Sequence, residues 1–351
     1  MSAKAHMLEL RTSPHMQRAE GVETIMLNVV IALLPIVAFA VFLFGVSALA
    51  LVIATTAACV VTEYIVCRLA SKEPTVNDYS VVITGILLAL TLPPGLPLWM
   101  AAVGGVVSVV VGKAVFGGLG YNVFNPALVG RAFLQAAFPT AITTWSPPLA
   151  PGRFTSFIPS TLTAPFAMAN PIGDWVKSLG IDGFSGATPL ALQKFEHIPT
   201  NVGSLAMGMT SGSAGETSAI LILVCGAYLA WRKMLDWRIP ASMLFSAFLT
   251  SGAFYVVNPD QYPTPVFTLF AGGLMLGAVF MASDMVASPV TPLGVWIYGA
   301  LMGILTVIIR LKGGLPEGVM YAILLGNAVS PIIDNLTQPR IYGARRAKAK
   351  L

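Results

Sequence analysis

A threonine hydroxyl, an arginine inside an apolar run and a carboxylate at the end of a glycine-rich run are the groups in this sequence best placed to do chemistry. The hydroxyl belongs to Thr188, which closes Asp182-Gly183-Phe184-Ser185-Gly186-Ala187-Thr188 ahead of Pro189. Asp-Gly favours a turn, Gly186 permits a positive φ, and a residue before proline is held extended, so a surface turn presents the Thr188 hydroxyl. The spacing reveals no catalytic base beside it. Arg131 follows Asn125-Pro126-Ala127-Leu128-Val129-Gly130 on a short apolar segment. A charge at the centre of a membrane span costs at least about 2.5–3.5 kcal/mol, so it needs a reason. Either a half-helix N-terminus and the guanidinium together hold a polar ligand, or Arg131 seals the bundle against Asp284 or Glu63. Asp284 itself ends a glycine-rich run and is an ion-path candidate. Asp334 also stands at a run end, while Glu63 and Lys113 are expected to snorkel to the inner interface.

The elements that carry these groups belong to a membrane protein. Of 351 residues, 56% are hydrophobic and 10% charged, and the mean hydropathy is +0.79. A water-soluble globule is excluded, because soluble domains average about 25% charged residues. Cys59, Cys67 and Cys225 lie in apolar runs without Cys-x-x-Cys spacing, so a disulfide framework and a four-thiolate cluster are excluded too. His6, His15 and His197 fall outside those runs and cannot pair across a haem within the membrane. Although the net charge is +5, the basic residues gather at run ends and in the C-terminal tail, a topology signal rather than a nucleic-acid stripe.

The fold class expected is an all-α polytopic membrane protein. Ten apolar runs, 25–44, 46–70, 79–92, 98–116, 124–138, 217–234, 239–257, 266–283, 292–311 and 319–333, predict about ten transmembrane segments. The third and fifth are short and punctuated by Pro93-Pro94-Gly95 and Asn125-Pro126, as broken or half-spans would be. With the N-terminus in the cytoplasm, fourteen Lys and Arg fall inside and five outside, which also puts the C-terminus in the cytoplasm. Trp231 and Trp237 then mark the inner interface, Trp99 and Trp145 the outer one.

A weak echo of Val82-Ile83-Thr84-Gly85 through Gly117-Gly118-Leu119-Gly120 recurs from Phe270-Ala271-Gly272-Gly273 through Gly313-Gly314-Leu315-Pro316. Five segments on each side make two inverted repeats, which place a site near the midplane, unless glycine-rich helices merely look alike. Gly85, Gly104, Gly105, Gly272, Gly273 and Gly277 read first as close helix packing, second as room for a flat cofactor ring. The domains expected are a cytoplasmic segment (1–24), a first membrane repeat (25–138), a long extracytoplasmic loop (139–216), a second membrane repeat (217–336) and a basic cytoplasmic tail (337–351). A loop that long is usually functional. Its acids Asp174, Asp182 and Glu196 balance its bases Arg153, Lys177 and Lys194 within 139–215, so no electrostatic docking patch is indicated.

The 182–188 run resembles the motif on which a flavin transferase attaches FMN by a phosphoester bond to the last threonine. Together with 121–133 (Tyr121-Asn122-Val123-Phe124-Asn125-Pro126-Ala127-Leu128-Val129-Gly130-Arg131-Ala132-Phe133), Leu88-Ala89-Leu90-Thr91-Leu92-Pro93-Pro94 and Ser13-Pro14-His15, it makes the whole chain resemble the RnfD family of Rnf ion-translocating electron-transport complexes. The sister family, NqrB of the sodium-translocating NADH:quinone reductase, normally has a longer segment before its first span. The resemblance implies covalent FMN on Thr188, with Asp182, Gly183, Ser185, Gly186 and Ala187 recognised by the transferase. It also implies a non-covalent riboflavin, expected near Thr84, Gly85, Asn125 and Arg131, where broken segments offer polar backbone.

The implied activity is electron transfer between ferredoxin and NAD coupled to Na⁺ or H⁺ transport, and ion coupling would need an intramembrane carboxylate, for which Asp284 is the candidate. No residue is expected to be catalytic alone or to ligate a metal, and no NAD or ferredoxin site is expected on this chain. The implied setting is the inner membrane of a bacterial cell, and the implied partners are the other membrane, flavin and iron–sulfur subunits, the flavin transferase and the lipid bilayer, without nucleic acid. Two rival readings are the NqrB component of the quinone reductase and a flavin-free transporter or channel on the same repeats.

Overall fold

The computed structural model describes residues 21–71, 75–165, 167, 172–180, 186–198, 200–216 and 218–339, and every regular element among them is helical. Ser13-Pro14-His15, the N-terminal basic residues Lys4, Arg11 and Arg18, and the tail from Arg340 lie outside the described residues.

The first apolar run forms α1 (Val22–Phe44), which turns at a single residue, Gly45, into α2 (Val46–Leu69). Gly45 has φ +71°, which only glycine adopts cheaply, and its N–H closes on Val41 O at 2.7 Å. A side chain there would strike the Arg153 carbonyl, which instead accepts the Val46 N–H at 2.9 Å. The remaining elements are α3 (Ser80–Leu90), α4 (Leu98–Val110, prolonged by a turn at Ala114–Phe116), α5 (Pro126–Ala137), α6 (Ala219–Trp231), α7 (Arg238–Val257), α8 (Pro265–Phe270), α9 (Pro292–Lys312) and α10 (Val319–Thr337). Short helices at Pro139–Ile142, Ile172–Ser178, Pro189–Ala191 and Val202–Met207 punctuate the long insert.

Among the described residues, six helices are long and apolar enough to cross a membrane: α1, α2, α4 with its prolongation, α7, α9 and α10. The other predicted runs hold shorter helices. At 1.5 Å per residue α3 and α5 rise about 17 and 18 Å, roughly half of a 30 Å hydrocarbon layer. The eighth run, expected whole, is broken. After α8 the chain goes extended at Ala271 and left-handed at Gly272 (φ +67°), then resumes at Leu274–Leu276 and widens at Gly277–Met281. There the Ala282 N–H reaches back to Gly277 O at 2.7 Å, a wide turn of the kind that recurs at functional sites.

Irregular backbone at membrane depth is tolerated only where protein satisfies it, and here the long insert does so. Residues 91–97, after α3, are buried. Leu90 O and Leu92 O accept the Gly215 and Ala214 N–H groups at 2.7 and 3.0 Å, and Gly95 O accepts the Ser160 hydroxyl at 2.6 Å.

Packing pairs the elements in a repeated manner. α2 lies against α3 and α4, and α4 against α5; likewise α7 lies against α8 and α9, and α9 against α10. Small residues make these approaches possible: Gly85 sits on Thr56, Gly105 on Thr55 and Cys59, Gly299 on Ser242, and Gly303 on Met243 and Ser246. Across the middle, α1 meets α6, where the Tyr228 hydroxyl donates to Asn28 Oδ1 at 2.8 Å.

Candidate functional site

Thr188 has the extended backbone its proline neighbour demands (φ −77°, ψ 156°), and Gly186 before it has φ +66°. Its side chain is buried and its Oγ1 accepts the Ala191 N–H at 3.3 Å, capping the short Pro189–Ala191 helix. The preceding carbonyl, Ala187 O, accepts the Ser211 hydroxyl at 2.8 Å. Thr188 thereby faces a small cleft together with Thr210, Ser211, Gly212, Glu216 and Gly272. Leu190 forms a wall of this cleft and of a neighbouring one that holds Lys194, His197, Tyr262 and Arg310. Lys194 ties the segment down by donating to Gly313 O at 2.5 Å and Leu315 O at 2.9 Å. Partial desolvation there lowers the Lys194 pKa from its ordinary value.

Beneath the Thr188 cleft lie two arginines and two glutamates. Arg310 Nη2 reaches Glu317 Oε1 at 3.0 Å and its Nη1 donates to Thr268 O at 2.8 Å, the open end of α8. Glu317 also accepts the N–H groups of Gly273 (3.1 Å), Gly318 (3.1 Å) and Val319 (3.3 Å). Arg131 Nη1 stands 3.9 Å from Glu216 Oε1, an ion pair without hydrogen-bond contact. The Nε of Arg131 and that of Arg310 are buried without a partner among the described residues. The Gly272-Gly273 break lies among these charges: a Cβ on Gly272 would meet Glu317, and one on Gly273 would approach Glu216. Burial, reinforced by the Glu317 charge, pushes the Glu216 carboxyl above the usual carboxylate range against the pull of Arg131. Glu317 goes the other way, because its arginine and backbone donors outweigh burial.

At the other end of α5 opens a third cleft, larger than these two, of about 780 Å³ with its open mouth included. Apolar side chains such as Met26, Leu87, Leu229 and Phe280 wall it, and Ser80, Thr84, Lys113, Asn122, Asn125 and Asp284 supply its polar groups. Asn125 caps α5, its Oδ1 accepting the Ala127 N–H at 3.1 Å and its Nδ2 donating to Met281 O at 3.3 Å in the broken segment. With its amide oxygen turned to the Asn125 N–H (3.0 Å), Asn327 of α10 gives its nitrogen to the Tyr298 hydroxyl at 2.6 Å. Two asparagines from distant helices thus meet behind the cleft.

Of the residues expected around riboflavin, Thr84 and Asn125 line this cleft, and Asp284 joins them. Gly85 does not: it packs against Thr56 of α2. Arg131 points the other way, to Glu216 rather than to Asp284 or Glu63. Of the attachment run, Thr188 lines the cleft and Ala187 is hydrogen-bonded to Ser211 beside it, whereas Asp182, Gly183 and Ser185 lie outside the described residues. Glu63 and Lys113 do not snorkel. They are buried as a pair at 2.8 and 3.0 Å, and Lys113 also donates to the Ser80 hydroxyl at 2.7 Å. Asp334 holds the backbone just ahead of α9, accepting the Val290 and Thr291 N–H groups at 3.0 and 3.2 Å, while the Thr291 hydroxyl caps the helix.

Sequence reasoning missed Glu216, Glu317 and Arg310 as site residues. Arg310 counted only as an outer charge, yet Glu317 follows it across the Gly313-Gly314 turn, a placement that invites pairing.

The NQR2, RnfD, RnfE family matches residues 9–343. The chain belongs to this family. Among family relatives, the chain is 41% identical to a component of the proton-translocating ferredoxin:NAD(+) oxidoreductase complex of Clostridium ljungdahlii, covering 98% of each. It is 39% identical to a component of the Na(+)-translocating ferredoxin:NAD(+) oxidoreductase complex of Acetobacterium woodii over 97% of each. To a component of the ion-translocating oxidoreductase complex of Yersinia pseudotuberculosis it is 36% identical, over 96% of this chain and 98% of that one. In each of the three complexes this relative is the subunit designated D.

Proposed function

We propose that this protein is a membrane subunit of an ion-translocating ferredoxin:NAD oxidoreductase complex and carries FMN covalently on Thr188. The observation that carries the reading is Thr188, at the end of the transferase-like run, facing a cleft with a pair of buried charges at its foot. The surroundings of Thr188 suit the tether itself. Gly212 and Gly272 leave room that side chains would fill, and the helix that Thr188 caps is three residues long, so releasing the hydroxyl for esterification disturbs little. A bound flavin supplies electron transfer; the protein supplies position and electrostatics. Thr188 holds the tether, Ser211 fixes the backbone before it, and Lys194 fixes the segment after it.

In the same reading riboflavin occupies the larger cleft between Thr84, Asn125 and Asp284, and Asp284 serves the ion path. The ten segments form two inverted repeats, supported by the matched packing of α2, α4 and α5 with α7, α9 and α10. The repeats span 25–138 and 217–336 of a bacterial inner membrane, with 139–216 outside and 1–24 and 337–351 cytoplasmic. Partners are the complex's other membrane, flavin and iron–sulfur subunits and a flavin transferase.

The test is ultraviolet-excited in-gel fluorescence of the denatured protein, wild type beside Thr188→Ala, each made with the transferase. A fluorescent band lost in Thr188→Ala is expected. A dark wild-type band, with the transferase active on a control substrate, sinks the tethered flavin and favours a flavin-free transporter.

A further inference from the structure

We propose that Glu216 is a proton-binding site whose occupancy follows the charge held at Thr188. The inference rests on the flavin proposed at Thr188 and names a group of the protein that answers it. Glu216 and Thr188 line one cleft, so a charge added at the threonine is felt by that carboxylate across a short, poorly screened path. Of the two glutamates beneath the cleft, Glu317 is committed to its ionised form. It accepts from Arg310 and from the N–H groups of Gly273, Gly318 and Val319, and each of those bonds would weaken on protonation. Glu216 has no such set. Its cation, Arg131, stands 3.9 Å away and leaves its own Nε unpartnered among the described residues.

The charges that face Glu216 come from every side: Arg131 on α5, Arg310 on α9 and Glu317 in the turn before α10. The Ser213 hydroxyl of its own segment is buried without a hydrogen-bond partner among the described residues. Two arginines and two carboxylates sum to zero, and a proton on Glu216 leaves the group at +1. One electron delivered to the cleft by the complex's redox chain is then balanced by one proton taken from outer-side water onto a Glu216 oxygen. Both leave again on reoxidation.

Reduced-minus-oxidised infrared difference spectra of the purified complex test this, alongside in-gel fluorescence of the same samples. The wild type should gain, on reduction, the C=O stretch of a protonated carboxylic acid that shifts in D₂O. Glu216→Gln should lose it and keep the fluorescent gel band. Arg131→Lys, which shortens the reach of the cation, should show the C=O stretch to a higher pH than wild type. A stretch that persists in Glu216→Gln, no stretch in a fluorescent wild type, or an unmoved pH in Arg131→Lys each overturns the proposal while leaving the tethered flavin intact. A dark wild-type gel band overturns the flavin reading, and this proposal with it.

Discussion

Gly272 carries a backbone demand and a steric one at the same position. Its φ of +67° costs about 1–3 kcal/mol for an ordinary residue, and a methyl there would also press on Glu317 and Leu190. Gly272→Ala is therefore expected to lower the melting temperature of the purified complex; an unchanged melting curve would refute the strain. The backbone of Thr188 is legible in sequence, since Pro189 imposes the extended form and Gly186 the turn. The partner of Arg131 is not. Sequence points to carboxylates inside the apolar runs, where desolvation makes pairing necessary, whereas Glu216 belongs to the long insert folded back over the helices. Local pattern carries φ and ψ preferences, but the pairing of distant charges depends on how the insert returns.

The short helices owe their position to their ends. Asn125 caps α5 and at the same time ties it to Met281. Asn125→Ala should cost about 0.5–2 kcal/mol from the cap alone, read as a lower melting temperature in detergent, and Asn125→Asp should recover part of it. The Glu63–Lys113 pair joins α2 to the end of α4, buried and hydrogen-bonded. Lys113→Met leaves a buried carboxylate without its cation and should cost about 3–5 kcal/mol, whereas Glu63→Gln with Lys113→Met should restore most of the stability. A double variant no more stable than the single one would contradict this account. Pro93-Pro94-Gly95 and Asn125-Pro126 announce two short elements, because proline cannot continue a helix. Ala271-Gly272-Gly273 announces nothing, since small residues inside an apolar run suit tight helix packing equally well.

At the scale of the whole molecule, the positive-inside distribution predicts an orientation that labelling can check. In a Cys67→Ser background, Lys177→Cys in the insert should react with a membrane-impermeant maleimide added outside intact cells. Arg232→Cys beyond α6 should react only after permeabilisation, and the reverse pattern would invert the topology. The all-helical membrane class and the long insert follow from composition and run length; the insert's role in completing broken helices does not, because backbone partners leave no trace in residue type. That role sets an order in time. The segment after Thr188 is held by Lys194 on Gly313 and Leu315, residues made 119 and 121 positions later. At about 5–20 residues per second, the ribosome leaves Lys194 without its anchor for roughly 6–24 s after it is made. During that interval Thr188 has been synthesised, and the contacts that will later pin its segment have not.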